Sequence, residues 1–420
     1  RNITRWRDDL LRDSHGSFLY LRDASQRSVL SLTAHPAPHP DWTYRATFLA
    51  DRVQFTARSV ALEAITTVLV SPEDDTELRT VCLTNLSSQE ITLDVISCFE
   101  AVLTDARADE AHPAFSNLFV QTEIIGDRHA ILATRRPRSA DEQTPWMFHL
   151  LAVNGTDIFN VSYETDRMQF IGRGNTLAEP QAMSSSINAL SGSEGSVLDP
   201  IVAIRCRITL EPEQSATIDF VSGATENRDS CIALVNKYQD RHLADRVFDL
   251  AWTHSGVTLR QINASEIDAQ LYRRLAGPVI YANASLRAEA GVLIQNRRGQ
   301  SGLWGYAISG DLPIVLLKIA DTANIDLARQ MIQCHAYWRL KGLSVDLVIW
   351  NEDHVGYRQQ LQDQIMGMIA TGSEAQTIDR PGGIFVRSFE QISNEDRILL
   401  QAVSRVIVSD RRGTLAEQFN

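Results

Sequence analysis

Apolar and polar positions alternate along the first half of this chain in short runs. Ser17–Arg22 keeps the two-residue period, and Ala46–Phe55 keeps it less regularly. Glu63–Val70 is rich in β-branched residues and meets the turn Ser71-Pro-Glu-Asp-Asp. Leu78–Leu83 and Glu90–Phe99 read as a strand pair joined by Thr84-Asn-Leu-Ser-Ser. Further strands are predicted at Leu118–Ile125, Ala130–Arg135, Met147–Val153, Ile201–Leu210 and Ala216–Phe220. So many strands, with turn chemistry between them and almost no helical period up to about Ala224, predict a large antiparallel sandwich.

Near Asn227 the period changes. Asp229–Tyr238 and His242–Ala264 carry apolar residues at three-to-four spacing, among them Leu243, Val247, Leu250, Ala251, Val257 and Leu259. Ile267–Leu275 continues this character until Ala276-Gly-Pro breaks it. The last third reads as helices at Leu312–Ile319, Ile325–Leu340, Tyr357–Ala370 and Asn394–Val408. Val345–Trp350 is an apolar run of strand length, and Pro381-Gly-Gly-Ile-Phe turns into an extended segment. The expected fold class is therefore β + α multidomain: a sandwich over 1–225, linker helices over 226–275, and an α-helical, incomplete (α/α)-barrel-like segment over 276–420.

Composition narrows the function. A formal charge of −12 argues against nucleic acid as a partner, since phosphate contacts need clustered Lys and Arg. The densest basic cluster, Arg135, Arg136 and Arg138, is interrupted by Pro137 and followed by Asp141 and Glu142, and reads as a solvated turn. Five cysteines without metal-type spacing read as reduced, mostly buried thiols in a cytoplasmic setting, with no metal and no cofactor implied. No apolar run approaches the roughly 18 residues a bilayer span needs, so no direct membrane insertion is expected of this segment. Arg1 enters a patterned segment at once, which reads as a piece of a longer polypeptide.

Candidate chemistry gathers in Gly299–Leu316, GQSGLWGYAISGDLPIVL. Glycines beside Trp304 and Tyr306 allow close approach of a flat partner, and Ser309 and Asp311 can bind hydroxyls, a combination suited to a sugar. Asp311 equally suits the N-cap of a helix with Pro313 in its first turn. Asn351, Glu352 and Asp353 follow an apolar run and suit either hydroxyl binding at a barrel mouth or a helix N-terminus. His15, His112 and His149 are scattered and read as structural. Gly172-Arg-Gly174 lacks the strand–helix context of a nucleotide loop. Ala111-His-Pro-Ala-Phe-Ser-Asn is a loop that either turns a hairpin or reaches a neighbouring domain.

Several longer phrases carry a family likeness. They include Thr4-Arg-Trp-Arg-Asp-Asp, Arg12-Asp-Ser-His-Gly-Ser-Phe-Leu-Tyr-Leu-Arg-Asp23, His112-Pro-Ala-Phe-Ser-Asn-Leu-Phe and Tyr163-Glu-Thr-Asp-Arg. Phe170-Ile-Gly-Arg-Gly, Gln300-Ser-Gly-Leu-Trp, Ile308-Ser-Gly-Asp-Leu-Pro-Ile and Tyr337-Trp-Arg-Leu-Lys-Gly-Leu belong to the same set. Taken in order, they resemble cyclic β-1,2-glucan synthases and 1,2-β-oligoglucan phosphorylases of glycoside hydrolase family 94 over essentially the whole chain. The resemblance implies a galactose-mutarotase-like β-supersandwich, and β-1,2-linked glucan or oligosaccharide as the ligand. It also implies a catalytic (α/α)6 barrel downstream in the same polypeptide, with inorganic phosphate as co-substrate if the parent is a phosphorylase. A synthase parent would place the segment on the cytoplasmic side of an inner-membrane protein.

Inverting phosphorolysis needs a carboxylic acid on the leaving oxygen and an attacking oxyanion on the opposite face. The family's Trp-Asn-Asp acid motif and downstream phosphate-binding His are absent here. Ala307-Ile-Ser-Gly-Asp stands where the sugar-binding Arg-Asp-x-x-Gln-Asp phrase is expected. Gly356-Tyr-Arg-Gln-Gln-Leu-Gln-Asp363 is similar to that phrase but reads as a helix start. No catalytic residue is therefore expected, and the chain reads as supporting, or binding glucan for, a barrel elsewhere. The rival readings are a stand-alone carbohydrate-binding or scaffold module and a glycosidase pairing Asp311 with Glu352 or Asp353.

Overall fold

The computed structural model of the chain describes residues 2–5, 14–24, 29–137, 139, 141–353, 358–372 and 374–419. Trp6–Asp13, Arg138 and the Gly356-Tyr357 start of the glutamine-rich phrase lie outside the described residues. Two compact units emerge, Arg1–His254 and Ser255–Asn420.

The first unit is a sandwich of two antiparallel sheets. Its strands are β1 (Ser17–Asp23), β2 (Val29–Ser31), β3 (Thr43–Phe48), β4 (Val53–Arg58), β5 (Leu62–Val70), β6 (Thr76–Asn85) and β7 (Ile91–Glu100). After the short helices α1 (Ala106–Ala111) and α2 (Pro113–Asn117) come β8 (Val120–Ile125), β9 (Ala130–Arg135), β10 (Trp146–Asn154) and β11 (Ile158–Asp166). Helix α3 (Arg167–Ile171), β12 (Pro200–Leu210) and β13 (Ser215–Thr225) complete it. Five strands pair in the order β11-β12-β7-β1-β2 and eight in the order β3-β4-β5-β6-β13-β10-β9-β8. The alternating residues Leu19, Leu21, Leu93, Val95, Val81, Leu83, Ile218 and Phe220 meet between the sheets, as a period of two demands. Helices α4 (Arg228–Tyr238) and α5 (Arg241–Gln261) carry Cys231, Val235, Val247 and Ala251 onto Leu78, Leu132, Phe148 and Val221 of the larger sheet.

Sequence and structure differ locally in this unit. The run Ala46–Phe55 is a hairpin of β3 and β4 turning at Leu49–Arg52, and β11 carries no clean alternation because its pairing with β12 shifts register twice. The predicted loop 111–117 is largely α2. Arg135 is no turn residue: it is buried at the end of β9, donates to the Val102 carbonyl at 2.8 Å and lies over the Phe119 ring.

The second unit overturns the expectation of a toroid-like helical segment over 276–420. After α6 (Glu266–Ile280), α7 (Ala290–Gln295) and α8 (Ser301–Trp304), the run predicted as a helix at 312–319 is instead β14 (Ile314–Ile319). Helix α9 (Ile325–Leu340), β15 (Asp346–Asn351), α10 (Arg358–Thr371), β16 (Ile384–Ser388), α11 (Asn394–Val403), β17 (Val406–Ser409) and α12 (Leu415–Gln418) follow. The predicted final helix therefore stops at Val403 and gives way to a strand. The four strands are parallel, in the order β16-β15-β14-β17. Helices α6, α9 and α10 cover one face and α8 and α11 the other. A sheet buried on both faces has no solvent side, so Ile314-Val-Leu-Leu-Lys-Ile reads as an apolar run interrupted only by Lys318 and not as an alternation. Among the described residues no helix is long and apolar enough to cross a membrane.

Candidate functional site

The stretch singled out in the sequence folds into the amino edge of the parallel sheet. Helix α8 makes one turn, and the chain then folds back through Ala307 (φ 63°) and Gly310 (φ 77°) before entering β14. Gly310 is needed twice over. Its φ is left-handed, and a Cβ there would stand 2.9 Å from Gln300 Cγ and 3.0 Å from Leu303 Cδ1. Gly302 similarly admits α11, since a Cβ would meet Leu399 Cδ2 at 2.7 Å.

Polar atoms tie this fold-back together. Gln300 Nε2 donates to the Ser309 carbonyl at 2.8 Å and to Asp311 Oδ1 at 3.0 Å. Trp304 Nε1 donates to the same carbonyl at 3.3 Å, leaving the indole 63% exposed. Ser309 Oγ accepts from the Asp311 N–H. Tyr306 donates to Asp396 Oδ2 at 2.9 Å, and burial, then this carboxylate, pushes its pKa up. Arg387 donates to the Tyr306 carbonyl at 2.6 Å. Asp396 also accepts from Ser393, and Arg298 stands 3.3 Å from its other oxygen. Asp311 caps no helix, because a strand follows; it is an exposed carboxylate held by Gln300.

A cleft of about 350 Å³ opens beside this fold-back, lined by Arg298, Gln300, Gly310, Pro313, Leu399 and Arg405 among others. Sequence reasoning missed three of its neighbours. Arg298 fell one residue before the chosen stretch, and Asp396 lies some ninety residues away. Arg405 sat inside a helix that actually ends at Val403.

Asn351, Glu352 and Asp353 do not join this group. Strands β14 and β15 run in register from Ile314–Asp346 to Ile319–Asn351, so Asn351 stands at the carboxyl edge. Asp311 precedes the first pair and Glu352 follows the last, which separates them by at least about 16 Å of strand at 3.3 Å per residue. An inverting pair needs roughly 6.5–9.5 Å between carboxyls, so Asp311 with Glu352 or Asp353 cannot form one. At the carboxyl edge Asn351 is buried and accepts from the Asp353 N–H at 3.0 Å, and Glu352 faces Arg411 at 3.6 Å. Lys318 donates to Gln401 there at 2.6 Å, and burial lowers its pKa.

Two buried histidines have structural partners. His149 bridges the two sheets between Ser97 and Ser222, at 2.7 and 2.8 Å, and burial followed by Arg79 brings its pKa to about 3. His335 stands 2.7 Å from Glu374, which also takes Arg339 at 2.7 Å. Burial alone would raise the Glu374 pKa, but the bonds from His335 and Arg339 outweigh it and hold it at about 2. A second cavity of about 270 Å³ borders this carboxylate. On its wall Gln333 donates to the Asn263 backbone carbonyl at 3.1 Å and accepts from the Tyr272 hydroxyl at 3.3 Å. No group of three or more metal-ligating side chains occurs among the described residues.

Comparison with known proteins follows the two units unevenly. The model of the glycosyl hydrolase 94 supersandwich domain matches residues 1–241. A cyclic β-(1,2)-glucan synthase of Rhizobium meliloti (strain 1021) is 31% identical over 420 residues, which is all of this chain and 15% of that protein. Among solved structures, a bacterial glucoamylase complexed with acarbose aligns over 62% of this chain and 34% of its own, at 9% identity and a TM-score of 0.37. A family GH92 α-mannosidase of Bacteroides thetaiotaomicron, in complex with mannoimidazole, aligns over 76% and 39%, at 9% identity and a TM-score of 0.28.

Proposed function

From the premise that this chain belongs to the glycosyl hydrolase 94 supersandwich-domain family, we propose that it is a segment of a β-1,2-glucan-active carbohydrate enzyme, supporting and binding glucan for a catalytic domain elsewhere in the same polypeptide. The observation that carries this reading is the 31% identity that runs through both units to a cyclic β-(1,2)-glucan synthase. The chain spans 15% of that relative's length, so room for a separate catalytic domain exists in a protein of that size. In this reading the chain itself has no catalytic residue, metal or cofactor, and inorganic phosphate would react in the downstream domain of a phosphorylase parent. Four of its five cysteines are buried and all are free, which fits a cytoplasmic location.

Glucan would lie at the amino edge of the parallel sheet. The exposed indole of Trp304 offers a stacking face, and Asp311 offers a carboxylate to paired hydroxyls. Tyr306 and Ser309 act through position, the first by anchoring the fold-back on Asp396 and the second by holding Asp311. The carboxyl-edge group Asn351, Glu352 and Asp353 is left out, because Asn351 is buried and Glu352 faces Arg411.

Calorimetric titration with sophorose-series oligosaccharides tests the reading, with cellobiose-series sugars as the control. Saturable binding is expected with β-1,2 linkages, weakened roughly fivefold by Trp304→Ala if stacking contributes about 1 kcal/mol. Equal binding of both series, or a Trp304→Ala variant that binds like wild type, would refute the assignment.

A further inference from the structure

The cleft beside the fold-back has a charge that a neutral glucan does not explain. Its lining residues include two arginines and no aspartate or glutamate. Arg298 is committed to Glu395 at 3.1 Å and to Asp396 at 3.3 Å. The amide hydrogens of Gln300 are committed to Ser309 and Asp311. Arg405 is different. Its backbone N–H is fixed on the Ile314 carbonyl at 2.8 Å, which sets the residue at the mouth of β17, and its side chain is half-buried. No described carboxylate lies within ion-pairing distance of its guanidinium. A partly buried cation with no counter-charge among the described residues gives up some hydration, and an arriving oxyanion would compensate it.

The rest of the lining suits the body of such a ligand. Leu312, Pro313, Ile314, Leu399 and Val403 form an apolar wall for the C–H face of a ring, and about 350 Å³ accommodates a monosaccharide. The guanidinium presents a planar fork matched to carboxylate or phosphate. We propose that this cleft binds an anion-bearing monosaccharide, with its phosphate or carboxylate group on Arg405 and its ring against the Leu312–Ile314 wall. The proposal rests on the amino edge being a saccharide site, and adds that the cleft itself selects charge while the Trp304 lip takes neutral sugar.

The test titrates the whole 420-residue chain with glucose 6-phosphate, glucuronate, glucose and inorganic phosphate. Glucose 6-phosphate or glucuronate should bind at least about tenfold more tightly than glucose, as a charge-assisted bond predicts, and added salt should erode the difference. Which of the two binds better identifies the anion. Arg405→Ala should reduce both to the level of glucose, and Arg405→Lys should retain part of the preference. Val403→Trp, which fills the apolar wall and keeps the cation, should weaken the charged sugars and leave the melting midpoint unchanged, since Val403 is exposed. Equal binding of charged and neutral sugars, inorganic phosphate binding as tightly as glucose 6-phosphate, or an indifferent Arg405→Ala would each overturn the proposal. Sophorose titrated in parallel reports on the lip alone, so its failure to bind would sink the glucan reading and not this one.

Discussion

The two units cover their sheets with different elements. In the sandwich each sheet turns one face to the shared core, and the chain shows this as alternation: Leu62, Ala64 and Thr66 point one way in β5 while Glu63, Ile65 and Thr67 point the other. In the second unit helices lie on both faces, and β14 is buried almost throughout. The charges differ as well. The sandwich buries arginines inside a sheet face, where Arg22, Arg205 and Arg207 surround Asp94, with Arg205 only 1% exposed. The parallel-sheet unit buries its His335–Glu374 contact between α9 and the segment after α10, with Arg339 beside it. One unit thus holds its buried charge on a sheet face and the other holds it off the strands, on the helix side.

The largest expected effect breaks the sandwich side of that contrast. Asp94→Ala leaves Arg22 and Arg205 buried with their shared counter-charge gone, and should cost about 3–5 kcal/mol. A urea midpoint, with hydrogen exchange locating the loss in β1, β7 and β12, checks it. A cost below about 1 kcal/mol would mean that the arginines are satisfied by the carbonyls of Met183, Ser184 and Ile187 alone.

The next concerns Glu374. Its folded pKa, about 2 against an ordinary 4.5, lies below the unfolded value. Its contribution is therefore present above about pH 4.5 and is lost as pH falls toward 2, amounting to about 3 kcal/mol at most. Glu374→Gln should remove both the stabilisation and that part of the acid slope in a pH series of melts. An unchanged slope would show that the His335 and Arg339 contacts leave its ionisation where it began.

Gly310→Ala comes third, at about 1–3 kcal/mol, from its left-handed φ together with the contact on Gln300 and Leu303. Its midpoint should fall while the sandwich keeps wild-type hydrogen exchange. Trp304→Ala is the smallest, within about 0.5 kcal/mol in stability, because the indole is exposed and only its N–H is engaged. A larger loss in a melt would make Trp304 a packing residue.

These contrasts also explain what was legible. Strands such as β5, β6 and β7 could be read because β-branched residues recur along them and turn residues bound them. Strand β14 was misread because Asp311 and Pro313 imitate a helix start and its five apolar residues carry no period of their own. Its neighbour β15 was read by length alone. For the site, the stretch from Gln300 to Asp311 was visible as glycines and aromatics. Its supports Asp396 and Arg387 were not, since parallel crossovers bring partners together from about eighty to ninety residues apart. The Asp94 cluster was equally hidden, its arginines lying 72 and 111 residues away in sequence.

The proposed function has this chain hold glucan without cleaving it. The most direct measurement follows phosphate and reducing ends while the chain is incubated with sophorose-series oligosaccharides under conditions where binding saturates. Binding is expected with no phosphate consumed or released and no new reducing end. Sustained turnover by this chain alone would contradict it.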